Sequence, residues 1–370
     1  MSRLCVALSL ACLAVACSAN DDGASSDGLA PFKPAAHRGF PQVPARGGVV
    51  LAHPRLVSVV ASNDSLASDL FAYSDALTKS AWWKSVAHEY GISGFAGSEH
   101  VVATEPIAGE MTNAQVDAFV AAAIASDASL APDGSTIYVL YFPPISSCSG
   151  GGSHHPFGKL GDAVARVQRC GSNPPTIASH EIIESATNPS GDGYELRAAS
   201  PIWTGSVWSA RDGEVGDLCE SEPTIVEGAY HFDRAWSNAA AAHGKNPCVP
   251  ADAGAFFDVS VARDWYAVAA GSSTTVKVEG WSSAKKGAWS LAAAIVARHG
   301  DGSGSGFSAT LSKSTIANGG TVTLTVDAGD IAPGQWALVE LRSSATNEDG
   351  VTPERHVWPV GFYVSPSAAH

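Results

Sequence analysis

The stretch A-S-H-E-I-I-E-S-A-T-N-P, residues 178–189, sets a histidine and two glutamates inside an otherwise apolar, helix-competent run. In an α-helix, residues four apart share a face. His180 and Glu184 therefore point the same way with Glu181 beside them, while Ile182, Ile183 and Ala186 supply the packing side. Asn188-Pro189 closes the helix, because a residue before proline avoids helical geometry. This spacing can bring two ligands and a base together on one metal ion. Zinc accepts a carboxylate oxygen as well as an imidazole nitrogen. A catalytic zinc also needs a third protein ligand, an open position for water and a carboxylate such as Glu181 to take the water's proton.

The third ligand has to come from another segment. G-E-V-G-D-L-C, residues 213–219, offers two carboxylates beside a cysteine that would anchor the loop, with Asp217 the first choice and Glu214 the second; His231 and Asp233 are further options. The competing reading is that His180, Glu181 and Glu184 form only a solvated charged face, since a four-residue spacing arises readily by chance. His154-His155, in a glycine-rich stretch, reads as an exposed pair outside the site. Asp192 and Glu195 lack the ligand pattern of a calcium loop and read as a polar turn.

Upstream of the motif, strands and helices alternate. Residues 49–51 and 56–60 are β-rich, residues 68–91 have helical content ending at Gly91, and residues 100–103 suggest a further strand. Thr112-x-x-Gln115 is a capping box opening a helix that ends near Ser126. T-I-Y-V-L-Y-F, residues 136–142, is a nearly continuous apolar run, as expected of a buried central strand. The S-S-C-S-G-G-G-S-H-H stretch that follows lacks the lysine and hydroxyl of a phosphate-binding loop and reads as a flexible, disulfide-tied loop. Beyond Pro250, short alternating β-type runs at 274–278, 321–326 and 336–341 are separated by Gly/Ser/Asp turns. The expected fold class is an α/β or α+β domain with a mixed sheet and the HExxE helix over 49–250, followed by an all-β, immunoglobulin-like sandwich over 251–370.

Arg3, an apolar run over 4–16 and then Cys17 follow the plan of an export signal. Ala14-Val15-Ala16-Cys17 resembles a bacterial lipobox, which makes residues 1–17 a lipoprotein-type signal, with cleavage nearby and free secretion as the alternative. Membrane contact is then expected only through lipid on Cys17. Residues 18–48, rich in Gly, Asp, Ser, Pro and Ala, read as a flexible tether. Of the remaining cysteines, loop closure favours pairing Cys148 with Cys170 and Cys219 with Cys248. A net charge of −14 with no basic stripe excludes nucleic acid as a partner. The expected ligand is a peptide or a cell-surface component.

The blocks quoted above, together with S-A-W-W-K-S-V-A-H-E-Y-G upstream, A-W-S-N at 235–238 and N-P-C at 246–248, resemble the Exordium family, also called phosphate-induced protein 1, and its bacterial relatives, over roughly residues 49–250. The resemblance implies a secreted, cell-wall-associated protein without a settled enzymatic activity. It carries over to His180, Glu181, Glu184, Glu214 and Asp217 alone. Plant members commonly lose the histidine, and this chain retains it. Two functions are thus expected to compete: an exported zinc-dependent hydrolase acting on peptides, and a non-catalytic extracellular binding protein.

Overall fold

The strand over Thr136–Tyr141 (β3) is buried at every position, which is why its sequence shows no alternation. In the computed structural model, which describes residues 31–107, 109–144, 151–169, 176–296, 306–346 and 353–365, β3 is the centre of a five-stranded sheet. Arg55–Ala61 (β1) and Gly97–Ala103 (β2) lie to one side of it, Asp162–Val167 (β5) and Gly152–Phe157 (β4) to the other, giving the order β2-β1-β3-β5-β4. The first four run parallel, and β4 is antiparallel at the edge.

Parallel neighbours need crossovers, and helices supply them. Ala67–Lys79 (α1) and Ala81–Ala87 (α2) join β1 to β2, and Asn113–Ile124 (α3) lies between β2 and β3. The 68–91 run is not one helix: the Ser80 hydroxyl accepts the Trp83 N–H and starts α2 afresh, and Gly91 stops the run in a left-handed conformation at φ 79°. The capping box at Thr112 and Gln115 forms as expected. Period-two alternation then divides the core. Leu56 and Val60, with Ile137, Val139 and Tyr141, pack towards α1, α2 and the helix Ile177–Thr187 (α4). Val57, Val59, Tyr138 and Leu140 pack against Val116 and Val120 of α3 on the opposite face.

Three expectations need correction. Residues 152–155, expected in the flexible loop over 146–155, lie instead in strand β4, paired antiparallel with β5 from Gly152↔Val167 to Phe157↔Asp162, and residues 146–150 lie outside the described residues. Glycine and serine have little strand propensity, and the pairing comes from the partner strand. Residues 34–48 are not all tether either. Phe40 and Val43 are buried, and the Arg46 and Gly48 amides donate to the carbonyls of Gly193 and Asp192. Residues 49–51, expected as strand, are irregular, with the Leu51 amide donating to Ala186 at 2.9 Å. The leader with Cys17, and the Cys148–Cys170 pair, lie outside the described residues. The disulfide Cys219–Cys248 is present as expected, with Cα atoms 5.5 Å apart. No helix among the described residues is long and apolar enough to cross a membrane.

The C-terminal region is all-β, with two curled sheets. One holds Phe257–Ser260, Ser272–Ser282, Thr321–Ala328 and Phe307–Leu311 in that order, all antiparallel. The other holds Trp265–Val268, Pro353–Val364, Trp336–Thr346, Trp289–Val296 and Thr315–Ile316; only its Trp265–Val268 edge runs parallel to its neighbour.

The two regions share one compact unit, residues 34–370. Phe40 sits among Trp208 and Trp236 on one side and Trp281 and Trp358 on the other, with ring centroids 5.3–6.1 Å away. The Arg211 guanidinium, fully buried, pairs with Glu340 of the C-terminal sheet. His356, buried there too, lies 3.1 Å from Glu222 and 3.0 Å from Glu354. Burial alone would lower its pKa, but the two carboxylates raise it to about 10. Breaking one side of a buried ion pair costs about 3–5 kcal/mol, because the other charge stays buried. Glu340→Gln is therefore expected to lower the stability of the whole chain by that amount, with calorimetry still showing one transition for both regions. Two separate transitions, with only the C-terminal one shifted, would show that the regions fold independently.

Candidate metal centre

Helix α4 is unusual in having all ten residues from Ala178 to Thr187 buried. Ala178, Ile182, Ile183 and Ala186 face the sheet core, as the spacing requires. The opposite face carries His180, Glu181 and Glu184, and it is covered by β4 and by the 212–220 segment rather than by solvent. The reading as a solvated charged face is excluded by this burial.

The 213–219 segment delivers its carboxylates as the sequence suggests. Gly213, at φ 87°, begins it, and Asp217 opens a short 3-10 turn over Asp217–Cys219 that the disulfide to Cys248 holds down. The Asp217 amide donates to Glu184 Oε1 at 3.0 Å, which clamps the segment to the helix. Gly216 permits this approach: a Cβ there would stand 2.7 Å from Glu184 Oε1 and 3.0 Å from His180 Cε1. His180 Nε2 then lies 3.2 Å from Glu184 Oε1 and 3.4 Å from Asp217 Oδ1. His180, Glu184 and Asp217 bring their donor atoms within 4.8 Å of one another, a group that could hold a metal ion.

Asp233 stands behind the histidine, with Oδ2 4.0 Å from His180 Nδ1, beyond hydrogen-bond reach. His231 is exposed, beside Thr224, and takes no part. Asp192 accepts the Ser190 hydroxyl in a turn. Glu214 does not join His180. It accepts from the Asn188 side-chain amide and lies 3.5 Å from His154 Nε2.

His154 is the residue the sequence reading left out. Strand alternation sends His154 and His155 to opposite faces of the sheet: His155 contacts Asp117 of α3 at 2.8 Å, and His154 faces α4. Its Nδ1 lies 3.7 Å from both Glu181 Oε2 and Glu184 Oε2. Reading G-S-H-H-P-F as an edge strand would have found it. Gly152, on the same strand, makes room for Glu181, whose carboxylate a Cβ there would overlap. These groups line a cleft of about 440 Å³ that also includes Ser153 and Ile177. A cleft of about 510 Å³ around Lys285–Ser290 in the C-terminal region brings together no comparable donors.

Two buried atoms in this site lack hydrogen-bond partners, His180 Nδ1 and Glu181 Oε2. Burial by itself would lower the pKa of both histidines. The carboxylates reverse that: Glu181, Glu214 and Glu184 raise His154 to about 10, and Glu184 and Asp217 hold His180 well above its usual range. Burial, then the charge of Asp217, pushes Glu184 up; burial also pushes Glu214 up against the opposing charge of His154. In the metal-free site the two rings therefore hold their protons at neutral pH.

No family model matches this chain, and no curated protein matches it in sequence.

A metal ligand must be deprotonated, so ions and protons compete for these groups. Below His154's pKa of about 10 its ring is protonated, and the His180 ring is held protonated in the same sense. Zinc uptake at pH 7 is then expected to release at least one proton per chain, and apparent affinity should rise with pH across the neutral range. Calorimetric titrations in buffers of different ionisation enthalpy measure the release. Binding with no proton release would contradict the arrangement.

Proposed function

We propose that this protein is an exported zinc-dependent hydrolase acting on peptides, with His180, Glu184 and Asp217 holding the zinc and Glu181 serving as general base. The observation that carries this reading is the buried Glu181 carboxylate, whose Oε2 accepts no hydrogen bond and which lies one residue from a ligating histidine on the wall of the cleft. Zinc bound by two carboxylates and an imidazole would lower the pKa of its water to about 7 and polarise a substrate carbonyl. Glu181 takes the proton from the attacking water, whose oxygen bonds to the carbonyl carbon. As the carbon–nitrogen bond breaks, Glu181 returns the proton to the departing amine.

A peptide substrate is supported by β4, an edge strand that pairs only with β5 among the described residues and that borders the cleft. Free strand edges take extended chains by main-chain hydrogen bonding. The lipid anchor on Cys17 and the immunoglobulin-like character of the C-terminal sheets belong to the same proposal: an anchored enzyme whose C-terminal region acts in spacing or binding. The Cys219–Cys248 disulfide accords with an oxidising compartment.

Glu181→Gln is expected to bind zinc as the parent does but to lose about 10²–10⁴-fold of its rate on a quenched peptide library, the usual contribution of a general base. His180→Ala should lose the zinc. A Glu181→Gln protein with unchanged hydrolysis would refute the assigned role. Wild-type protein that takes up no zinc would favour the non-catalytic, surface-binding role that the Exordium resemblance implies.

A further inference from the structure

The Glu184 carboxylate faces two ways. Its Oε1 lies 3.2 Å from His180 Nε2 and accepts the Asp217 amide, whereas its Oε2 lies 3.7 Å from His154 Nδ1. Each oxygen is the corner of a different donor set. One is His180, Glu184 and Asp217; the other is His154, Glu184 and Glu214, again with donor atoms within 4.8 Å of one another.

The second set is oriented as ligands usually are. Asn188, which caps the C-terminus of α4, accepts from His154 Nε2 at 3.0 Å through its carbonyl and donates to Glu214 through its side-chain amide. The ring stands between the two carboxylates of its set, with Nε2 3.5 Å from Glu214 Oε1 and Nδ1 3.7 Å from Glu184 Oε2. The His154 side chain is only 9% exposed, and Glu181 Oε2, buried without a hydrogen bond, lies 3.7 Å from His154 Nδ1.

We infer that the protein holds two divalent metal ions bridged by Glu184, the second bound by His154 and Glu214. This deepens the zinc reading above and rests on it. Charge points the same way. Glu181, Glu184, Asp212, Glu214, Asp217 and Glu220 are six acidic side chains around one cleft whose lining holds no lysine or arginine, a setting that favours bound cations where burial makes uncompensated charge costly. A set of one nitrogen and several carboxylate oxygens suits zinc or manganese. Paired ions in such sites hold both the attacking and the leaving atoms of a hydrolysis.

The test is a metal count on the full chain, stripped with chelator, loaded with excess zinc and dialysed, then read by native mass spectrometry and elemental analysis. Wild type is expected to hold two zinc ions per chain, His154→Ala and Glu214→Gln one each, and Glu184→Gln none. Glu214→Gln retains an acceptor for Asn188, so it reports on the site even if His154→Ala folds poorly; circular dichroism of the metal-free proteins checks the fold. One zinc in the wild type overturns the bridged pair and leaves the single-zinc reading standing. No zinc sinks both. Two zinc ions in both His154→Ala and Glu214→Gln would place the second ion elsewhere and overturn the inference.

Discussion

Helix α4 is buried from Ala178 to Thr187 while carrying a histidine and two glutamates, and the rest of the structure answers that constraint. Ionised side chains removed from water cost several kcal/mol each unless they find counter-charges and hydrogen bonds. Here the covering segments bring a further histidine and four more acidic side chains, Asp212, Glu214, Asp217 and Glu220, rather than basic residues. The imbalance is relieved in the metal-free protein by holding protons on His154 and His180 and by pushing the Glu184 and Glu214 carboxyls towards their neutral forms. A buried group of this composition could hold a metal ion.

Much of the scaffold serves to bring the covering segments into place. The β5-to-α4 sequence sets the helix against the sheet, and β4 runs back along its edge to carry Gly152 and His154 over the helix. The 213–219 segment is fixed at one end by the left-handed Gly213 and at the other by the disulfide. Closing a loop of this length contributes on the order of 3–4 kcal/mol in the chain-entropy account. The C-terminal sheets stabilise the same segment from outside: Arg211, two residues before Gly213, pairs with Glu340, and Trp208 packs on Trp358.

The sequence was legible where one local rule dominated. The i, i+4 spacing placed His180 and Glu184 on one helical face, the Thr112 capping box marked the start of α3, and the unbroken apolar run of β3 declared its burial on both faces. Asp217 was found because a cysteine two residues on promised a fixed loop. His154 was missed because Gly152 and Ser153 weaken the strand signal, and only pairing with β5 reveals that His154 and His155 face opposite ways. Phe40 and Val43 were missed for a related reason: two apolar residues in a polar stretch carry no periodicity, and their burial is decided by distant tryptophans. Local propensity told which elements form, but the site is completed by contacts between segments far apart in the chain.

The account turns on a nitrogen-and-oxygen metal centre at the face of α4, and X-ray absorption at the zinc edge of the loaded protein tests it most directly. The first shell should contain only nitrogen and oxygen scatterers at about 2.0–2.2 Å, with imidazole multiple scattering that diminishes in His180→Ala. A first shell containing sulfur at about 2.3 Å, or one unchanged by loss of His180, would put the metal elsewhere and contradict the account.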